Sequence, residues 1–270
     1  MRAPGDAALR QQPAPAPAPA PAPVGAGPSK PPHRSHGSHL TISPVGHEAL
    51  DGPGGDPATV RATLADIARV NFLLGGSAAA AFGLRRLLDH TSSGRTLTLL
   101  DVGAGSGDLA LHLARQAGRR GVTLRPLALE RHPVAARLCR RAGVPVVQAC
   151  GGRLPLGDRT VDVVLASQLL HHLERGSAVA LLQELARVAR VGVIVADLRR
   201  HYVAAAGIWL AAYLLGLHPV TRHDGVTSVR RGFTARELAA LLRAAGLAAD
   251  VHARPGYRLV AVWRRTDAYG

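Results

Sequence analysis

The sequence predicts a doubly wound α/β domain, and three observations carry that prediction. From Leu97 to Ala196, short apolar runs rich in Val, Leu and Ala alternate with stretches of helical periodicity. Strands separated in this way by helices imply right-handed crossovers and a mostly parallel sheet covered on both faces. A glycine-rich turn, Gly103-Ala104-Gly105-Ser106-Gly107, closes the first apolar run and opens a helix, which is where such sheets bind ligands. The chain then finishes on a helix and two short strands joined by Pro255 and Gly256, a hairpin that adds an antiparallel strand at one edge.

Taken in order, ordered structure is expected from Asp56, a helix N-cap before Pro57, with Val60, Leu64, Ile67, Ala68 and Leu74 near helical spacing. Gly75 and Gly76 end that helix, and a second runs from Ser77 to about Asp89. Strands are expected at Leu97–Val102, Thr123–Glu130, Val144–Ala149, Val161–Ala166 and Val191–Ala196. Helices at Asp108–Ala117, Pro133–Ala142 and Ser177–Ala189 lie between them. A helix at Phe233–Ala245, opened by Thr234 with Glu237 at capping-box spacing, precedes strands at Ala248–Ala253 and Arg258–Trp263, which bring the sheet to seven strands.

The composition removes several classes of chemistry. The formal charge is +15, and residues 1–56 hold four basic and four acidic side chains, so the excess belongs to residues 57–270. The single lysine, Lys30, lies in the low-complexity tail, which excludes Schiff-base chemistry and a P-loop lysine from the folded part. Cys139 and Cys150 have no partner at Cys-x-x-Cys spacing, so neither a disulfide framework nor a metal site is expected, and a cytoplasmic location fits. Residues 1–56, with unbroken Pro-Ala alternation from Pro13 to Pro23, read as a disordered tail. His33, His36 and His39 are taken as solvated. The early Pro-Ala run also argues against a secretory signal.

The segment Leu99-Leu100-Asp101-Val102-Gly103-Ala104-Gly105-Ser106-Gly107-Asp108 resembles motif I of the class I S-adenosylmethionine-dependent methyltransferases, an acid followed by three alternate glycines. Asp108 stands where a dinucleotide fingerprint would need Gly or Ala. The resemblance extends over roughly Pro57 to Arg264 and implies a Rossmann-like fold with S-adenosylmethionine as cofactor. It implies cofactor contacts from Asp101, Gly103, Ala104, Gly105, Gly107, Glu130, Arg131, Cys150, Gly151 and Ser167. Glu130 ends the second strand 27 residues beyond Gly103, where the family's acid accepts the ribose hydroxyls. Cys150 replaces the acid that reaches the adenine amino group in the family.

Ser167-Gln168-Leu169-Leu170-His171-His172-Leu173 resembles the segment of small-molecule methyltransferases that lies beside the reactive methyl, including the ubiquinone and menaquinone group. Histidine suits removal of an acceptor's proton. His171 and His172 are therefore the catalytic candidates, one as base and the other structural, or neither. The Asn/Asp-Pro-Pro-Tyr element of enzymes that methylate base amines is absent here.

After the fifth strand comes an insertion, residues 201–232, in the place where this superfamily carries a substrate lid. Its apolar stretch Tyr202–Leu217, 16 residues long, is open between a buried core helix, a lid and a membrane-interface anchor. A polar His/Arg/Asp loop is expected after it, and Arg200, His218, Arg222 and His223 are the candidate acceptor-binding residues. The reading that follows is methylation, at oxygen or carbon, of a small, largely apolar phenol, quinol or polyketide-like acceptor. An RNA methyltransferase is the alternative from charge, but the arginines are scattered in pairs and stacking aromatics are scarce, so nucleic acid is not the expected partner. A non-catalytic binder of the cofactor is the third reading.

Overall fold

The computed structural model describes residues 40 to 266 apart from positions 42, 47, 49, 53 and 90. The Pro-Ala alternation, Lys30, His33, His36 and His39 lie outside the described residues.

Two helices precede the sheet. Asp56 caps α1 (Pro57–Leu73), its carboxylate accepting the Thr59 amide at 2.8 Å, while Pro57 fills the first turn, where its missing N–H is not needed. The chain reverses at Gly75, with φ +80°, into α2 (Gly76–Leu88). Then follow β1 (Thr96–Val102), α3 (Asp108–Gly118), β2 (Thr123–Glu130), α4 (Pro133–Arg141), β3 (Val146–Gln148), β4 (Val161–Ser167), α5 (Arg175–Val188) and β5 (Ala189–Leu198). The chain ends with α6 (Tyr202–Leu214), α7 (Pro219–Arg231), α8 (Ala235–Ala244), β6 (Asp250–Arg254) and β7 (Arg258–Arg264).

The seven strands lie in the order β3-β2-β1-β4-β5-β7-β6, and β7 alone runs against its neighbours. The expected antiparallel addition at the edge is thus the terminal hairpin, with β7 inserted between β5 and β6. Alternation along the strands sends successive side chains to opposite faces. Leu100, Val102, Val164 and Val193 face Leu181, Leu182 and Leu185 of α5 and Leu238 and Leu241 of α8. Leu99, Val163, Leu165 and Ile194 face Leu84 and Leu87 of α2 and Leu113 of α3. Each fully buried leucine contributes about 1.5–3 kcal/mol, so a core this poor in aromatics is held by number.

The chain leaves β1 in one direction toward β2 and β3 and returns on the other side of β1 for β4. That reversal opens a crevice beyond the carboxyl ends of β1 and β4. The cavity next to β1 and β4 lies there.

Three expectations need correction. The segment from residue 40 to 56 is not all free tail: Glu48 and Asp51 are drawn against α7 by the buried guanidinium of Arg231. The polar stretch after α6 is not a loop but a helix, α7, capped by His218, whose Nδ1 accepts the Val220 amide at 3.3 Å. Finally, of the three readings left open for Tyr202–Leu217, the core helix does not hold for α6, since Ala212 is its sole buried residue.

Candidate active site

The loop after β1 is shaped by its glycines. Gly103, Gly105 and Gly107 hold φ values of +74°, +57° and +81°, a region that costs other residues energy. The Gly103 amide donates to the carbonyl of Leu129 at 2.8 Å, tying the loop to the end of β2. Glu130 takes over from there: one carboxylate oxygen accepts the Gly105 amide at 2.9 Å and the other the His132 amide at 2.8 Å. The acid at the end of β2 thus fixes the loop, and Glu130 itself lines the cavity.

Asp101 is buried beneath this loop. Burial, reinforced by the charges of Asp108 and Glu130, pushes its carboxyl up to about 7. A buried carboxylate in that state favours a cationic neighbour. The Cys139 thiol, pushed up to about 12 by burial first and by nearby acids second, donates to the Gly105 carbonyl at 3.2 Å and is structural.

The cavity beyond the loop measures about 480 Å³ and is lined by Asp101, Gly103, Ala104, Gly105, Glu130, Arg131, Cys150, Gly151 and Ser167, all expected there. Gly107 is the exception. A Cβ at this position would meet Cys139 Sγ and Val144 at 3.3 Å, so Gly107 serves close packing of α3 against its neighbours and does not line the cavity. Arg131 reaches the cavity wall but spends its guanidinium on the carbonyls of Leu50, at 3.1 Å, and Asp51.

The other end of the cavity is built on the one-turn helix Leu170–His172 after β4. His171 is 3% exposed, and its Nδ1 lies 2.6 Å from Asp197 at the end of β5. Asp197 also accepts the amides of Leu170, at 3.0 Å, and Leu198, at 2.7 Å. Opposed by burial but held by His171 and these amides, its carboxyl stays below the usual range, so Asp197 is a fixed anion that keeps a proton on Nδ1. Nε2 of His171 is left without a partner. His172 packs on it, ring centroids 4.3 Å apart, and its Nδ1 is 2.8 Å from Asp51.

Glu48, Asp51, Gln168 and Asn71 also line the cavity. Arg231, whose side chain is wholly buried, bonds Glu48 at 3.1 Å and Asp51 at 2.9 Å, and Ser228 donates to Glu48 at 2.7 Å. Gln168, at φ +50°, links Asn71 to the buried Arg258, whose Nη1 donates to Gln168 at 2.9 Å.

The roof is made by α6 and α7. Val203, Ala204, Gly207 and Ile208 present one side of α6 to the cavity, and Asp224, Gly225, Ser228 and Val229 do so from α7. Residues of the insertion thus line the cavity, but the four candidate acceptor contacts do not. Arg200 is tied to the Gly232 carbonyl at 3.0 Å and to Glu237 at 2.5 Å. His218 caps α7, Arg222 donates to the Leu217 carbonyl at 2.8 Å, and His223 is exposed. None of the four lines the cavity, because each polar group satisfies a helix end or faces solvent.

Residues 99–192 match the family described as a methyltransferase domain. The chain is 32% identical over 147 residues to an uncharacterized methyltransferase of Mycolicibacterium gilvum, covering 54% of this chain and 51% of that protein. It thus spans about half the length of the curated relatives it matches. Among solved structures, a SAM-dependent methyltransferase from Aquifex aeolicus superposes with a TM-score of 0.53 at 18% identity, covering 78% of this chain and 99% of that one. Human N-acetylserotonin methyltransferase in complex with SAM gives 0.55 at 12% identity, over 78% of this chain and 56% of that one. The structural likenesses show the fold, and the matched methyltransferase domain covers about a third of the chain.

Proposed function

We propose that this chain transfers a methyl group from S-adenosylmethionine to a small, largely apolar acceptor, at an oxygen or carbon nucleophile. The observation that carries the reading is one continuous cavity with the glycine loop and Glu130 at one end and an apolar roof with Asp197-supported His171 at the other. The chain's residues fit the cofactor: the glycine loop lines the cavity without bulky side chains, Glu130 offers a carboxylate for ribose hydroxyls, and Asp101 is a buried acid that a cationic ligand would stabilise.

When bound, S-adenosylmethionine supplies an electrophilic methyl group on a positively charged sulphur. The chain's part is to hold the acceptor in line and dry, an effect that can remove several kcal/mol from a barrier, up to ~7–11 in favourable cases. Cys150 and Gly151 would flank the adenine, Ile208, Val203 and Val229 of the lining would cover the acceptor, and the unpartnered Nε2 of His171 would accept the proton of its nucleophilic atom. The buried, unpartnered Nε2 favours His171 over His172 as the base in this reading. The apolar roof favours a small molecule of the phenol, quinol or polyketide-like class over RNA.

Among the described residues no single helix is long and apolar enough to cross a membrane. The outer side of α6 nevertheless exposes Tyr202, Trp209, Tyr213 and Leu214, at 79%, 61%, 66% and 73%. We read this face as a peripheral lipid contact beside the roof, suited to an acceptor that partitions into membranes.

Calorimetric titration with S-adenosylmethionine and S-adenosylhomocysteine, with NAD and ATP as controls, tests the cofactor. Binding of the first pair alone supports the reading and warrants a screen of phenolic and quinol acceptors. Binding of NAD or ATP instead overturns it.

A further inference from the structure

Both histidines of the Leu170–His172 turn are oriented in the same manner. Asp197 holds His171 Nδ1 at 2.6 Å and Asp51 holds His172 Nδ1 at 2.8 Å, so each ring turns Nε2 away from its carboxylate. Both Nε2 atoms point to one residue: His171 Nε2 is 4.0 Å from Glu48 Oε1, and His172 Nε2 is 3.9 Å from Glu48 Oε2. These distances are too long for hydrogen bonds. They are the distances of atoms arranged around a shared point.

We propose that Glu48, His171 and His172 form a binding site for a first-row divalent transition-metal cation at the acceptor end of the cavity. One ligand atom from each residue lies within 4.8 Å of the others. A point equidistant from three such atoms is about 2.8 Å or less from each, so shifts of roughly half an ångström reach the ~2.0–2.2 Å of zinc bound by imidazole and carboxylate.

Three further features support the site. Nε2 of His171 is buried, faces the cavity and has no partner, a state in which a polar atom is rarely left. A carboxylate on the far nitrogen of each histidine is the arrangement that fixes metal-bound imidazoles elsewhere. Two nitrogens and one carboxylate oxygen suit zinc, iron, manganese, cobalt or nickel better than calcium or magnesium, which take oxygen ligands. The charged groups facing the site are Asp51, Asp197 and Arg231, with Arg258 near Asp197 and Asp224 farther along the cavity. Arg231 and Ser228 bond one oxygen each of Glu48 and leave each oxygen a lone pair for the cation.

Three protein ligands leave coordination positions open toward the roof. An acceptor bearing an oxygen donor, such as a phenol or a hydroxyl beside a carbonyl, would bind there; with Nε2 of His171 occupied by the cation, the cation would replace His171 as the activating group, and the acidified hydroxyl would lose its proton to water. That second step rests on the methyl-transfer reading, whereas metal binding does not.

The full chain, freed of metal by chelation, is titrated with Zn²⁺ by calorimetry and with Co²⁺ by visible absorption. Glu48→Gln and the double variant His171→Ala/His172→Ala are run beside it. Because His33, His36 and His39 could bind zinc separately, the difference between wild type and variants is the readout. The expected result is one tight equivalent, with its Co²⁺ absorption, lost from both variants. Asp51→Asn, which keeps every ligand, should weaken it by about 10–100-fold. S-adenosylhomocysteine affinity measured on the same samples reports whether the variants fold, and its absence in wild type would count against the cofactor and not the metal. Equal stoichiometry and identical Co²⁺ spectra in wild type and all variants would overturn the proposal.

Discussion

Arg231, in the last turn of α7, donates to Glu48 Oε1 at 3.1 Å across 183 residues of sequence. The same guanidinium reaches Asp51 at 2.9 Å and the carbonyls of Val45 and Gly46 at 2.5 Å each. One buried cation therefore fastens the strap that completes the wall of the cavity. Removing it leaves two acids without their partner, a change that costs about 3–5 kcal/mol where the charges cannot escape to water. Arg231→Met is expected to lower the melting temperature and open residues 45–51 to protease, with S-adenosylhomocysteine still bound. Unchanged protease resistance would show that the strap is held by other contacts.

Glu130→Ala removes the acceptor for the Gly105 and His132 amides as well as the proposed ribose contact. Charge-assisted hydrogen bonds of this kind contribute on the order of 2–3 kcal/mol, so affinity for S-adenosylmethionine should fall roughly 30- to 150-fold. Gly105→Val should be more severe, because φ +57° strains any β-branched residue. Its Cβ would also touch Leu64 at 3.4 Å. Calorimetry on both variants checks this, and wild-type affinity in Gly105→Val would move the cofactor elsewhere.

The sheet was legible because local signals and burial agree. The run Thr123–Glu130 is bounded as expected, and Thr234 with Glu237 forms the capping box that their spacing implies. Residues 45–51 were not legible, since Pro, Gly and His around Glu48 and Asp51 resemble a tail, and their partner Arg231 is remote in sequence. Nor were the histidines easy to sort. His132, His201 and His218 all cap helices through Nδ1, at 3.2, 3.2 and 3.3 Å, so His218 resembled a ligand while serving a backbone amide. The His-Pro pairs at 132–133 and 218–219 were the signal for that role in two of the three.

Asp101 makes stability depend on pH. Its folded carboxyl titrates at about 7, raised by burial from 3.8. The unfolded chain therefore loses this proton first, and the folded state is progressively penalised as pH rises from about 4 to about 7. The full penalty, on the order of 4 kcal/mol before relief by cavity water, applies above that range. Asp101→Asn should flatten the slope and melt higher than wild type near pH 8. Parallel melting curves for the two proteins across that range would place the titration on another group.

The outer side of α6 gives a separate test. Burying Trp209 and Tyr213 in a lipid interface removes on the order of 150–250 Å² of aromatic surface each from water. The exposed Arg199, just before the helix, adds attraction to anionic lipid. Wild type should sediment with phosphatidylserine-containing vesicles, and Trp209→Ser/Tyr213→Ser should stay in solution while binding S-adenosylhomocysteine normally. Equal sedimentation of both would remove the lipid contact.

The two cysteines report on the adenine end of the cavity without any knowledge of the acceptor. Cys139 is buried in the core, bonded to the Gly105 carbonyl at 3.2 Å, and its thiol is pushed up to about 12, so almost no thiolate exists near pH 8. Cys150 is half-buried and lines the cavity next to Gly151. Iodoacetamide should therefore label Cys150 in the native protein and reach Cys139 only on unfolding. Because the adenine is expected against Cys150, saturating S-adenosylhomocysteine should slow that labelling by tenfold or more, on the order of the fraction of protein left free. Mass spectrometry of the two peptides decides the matter: full labelling of Cys150 while the ligand is bound would put the adenine on a different wall.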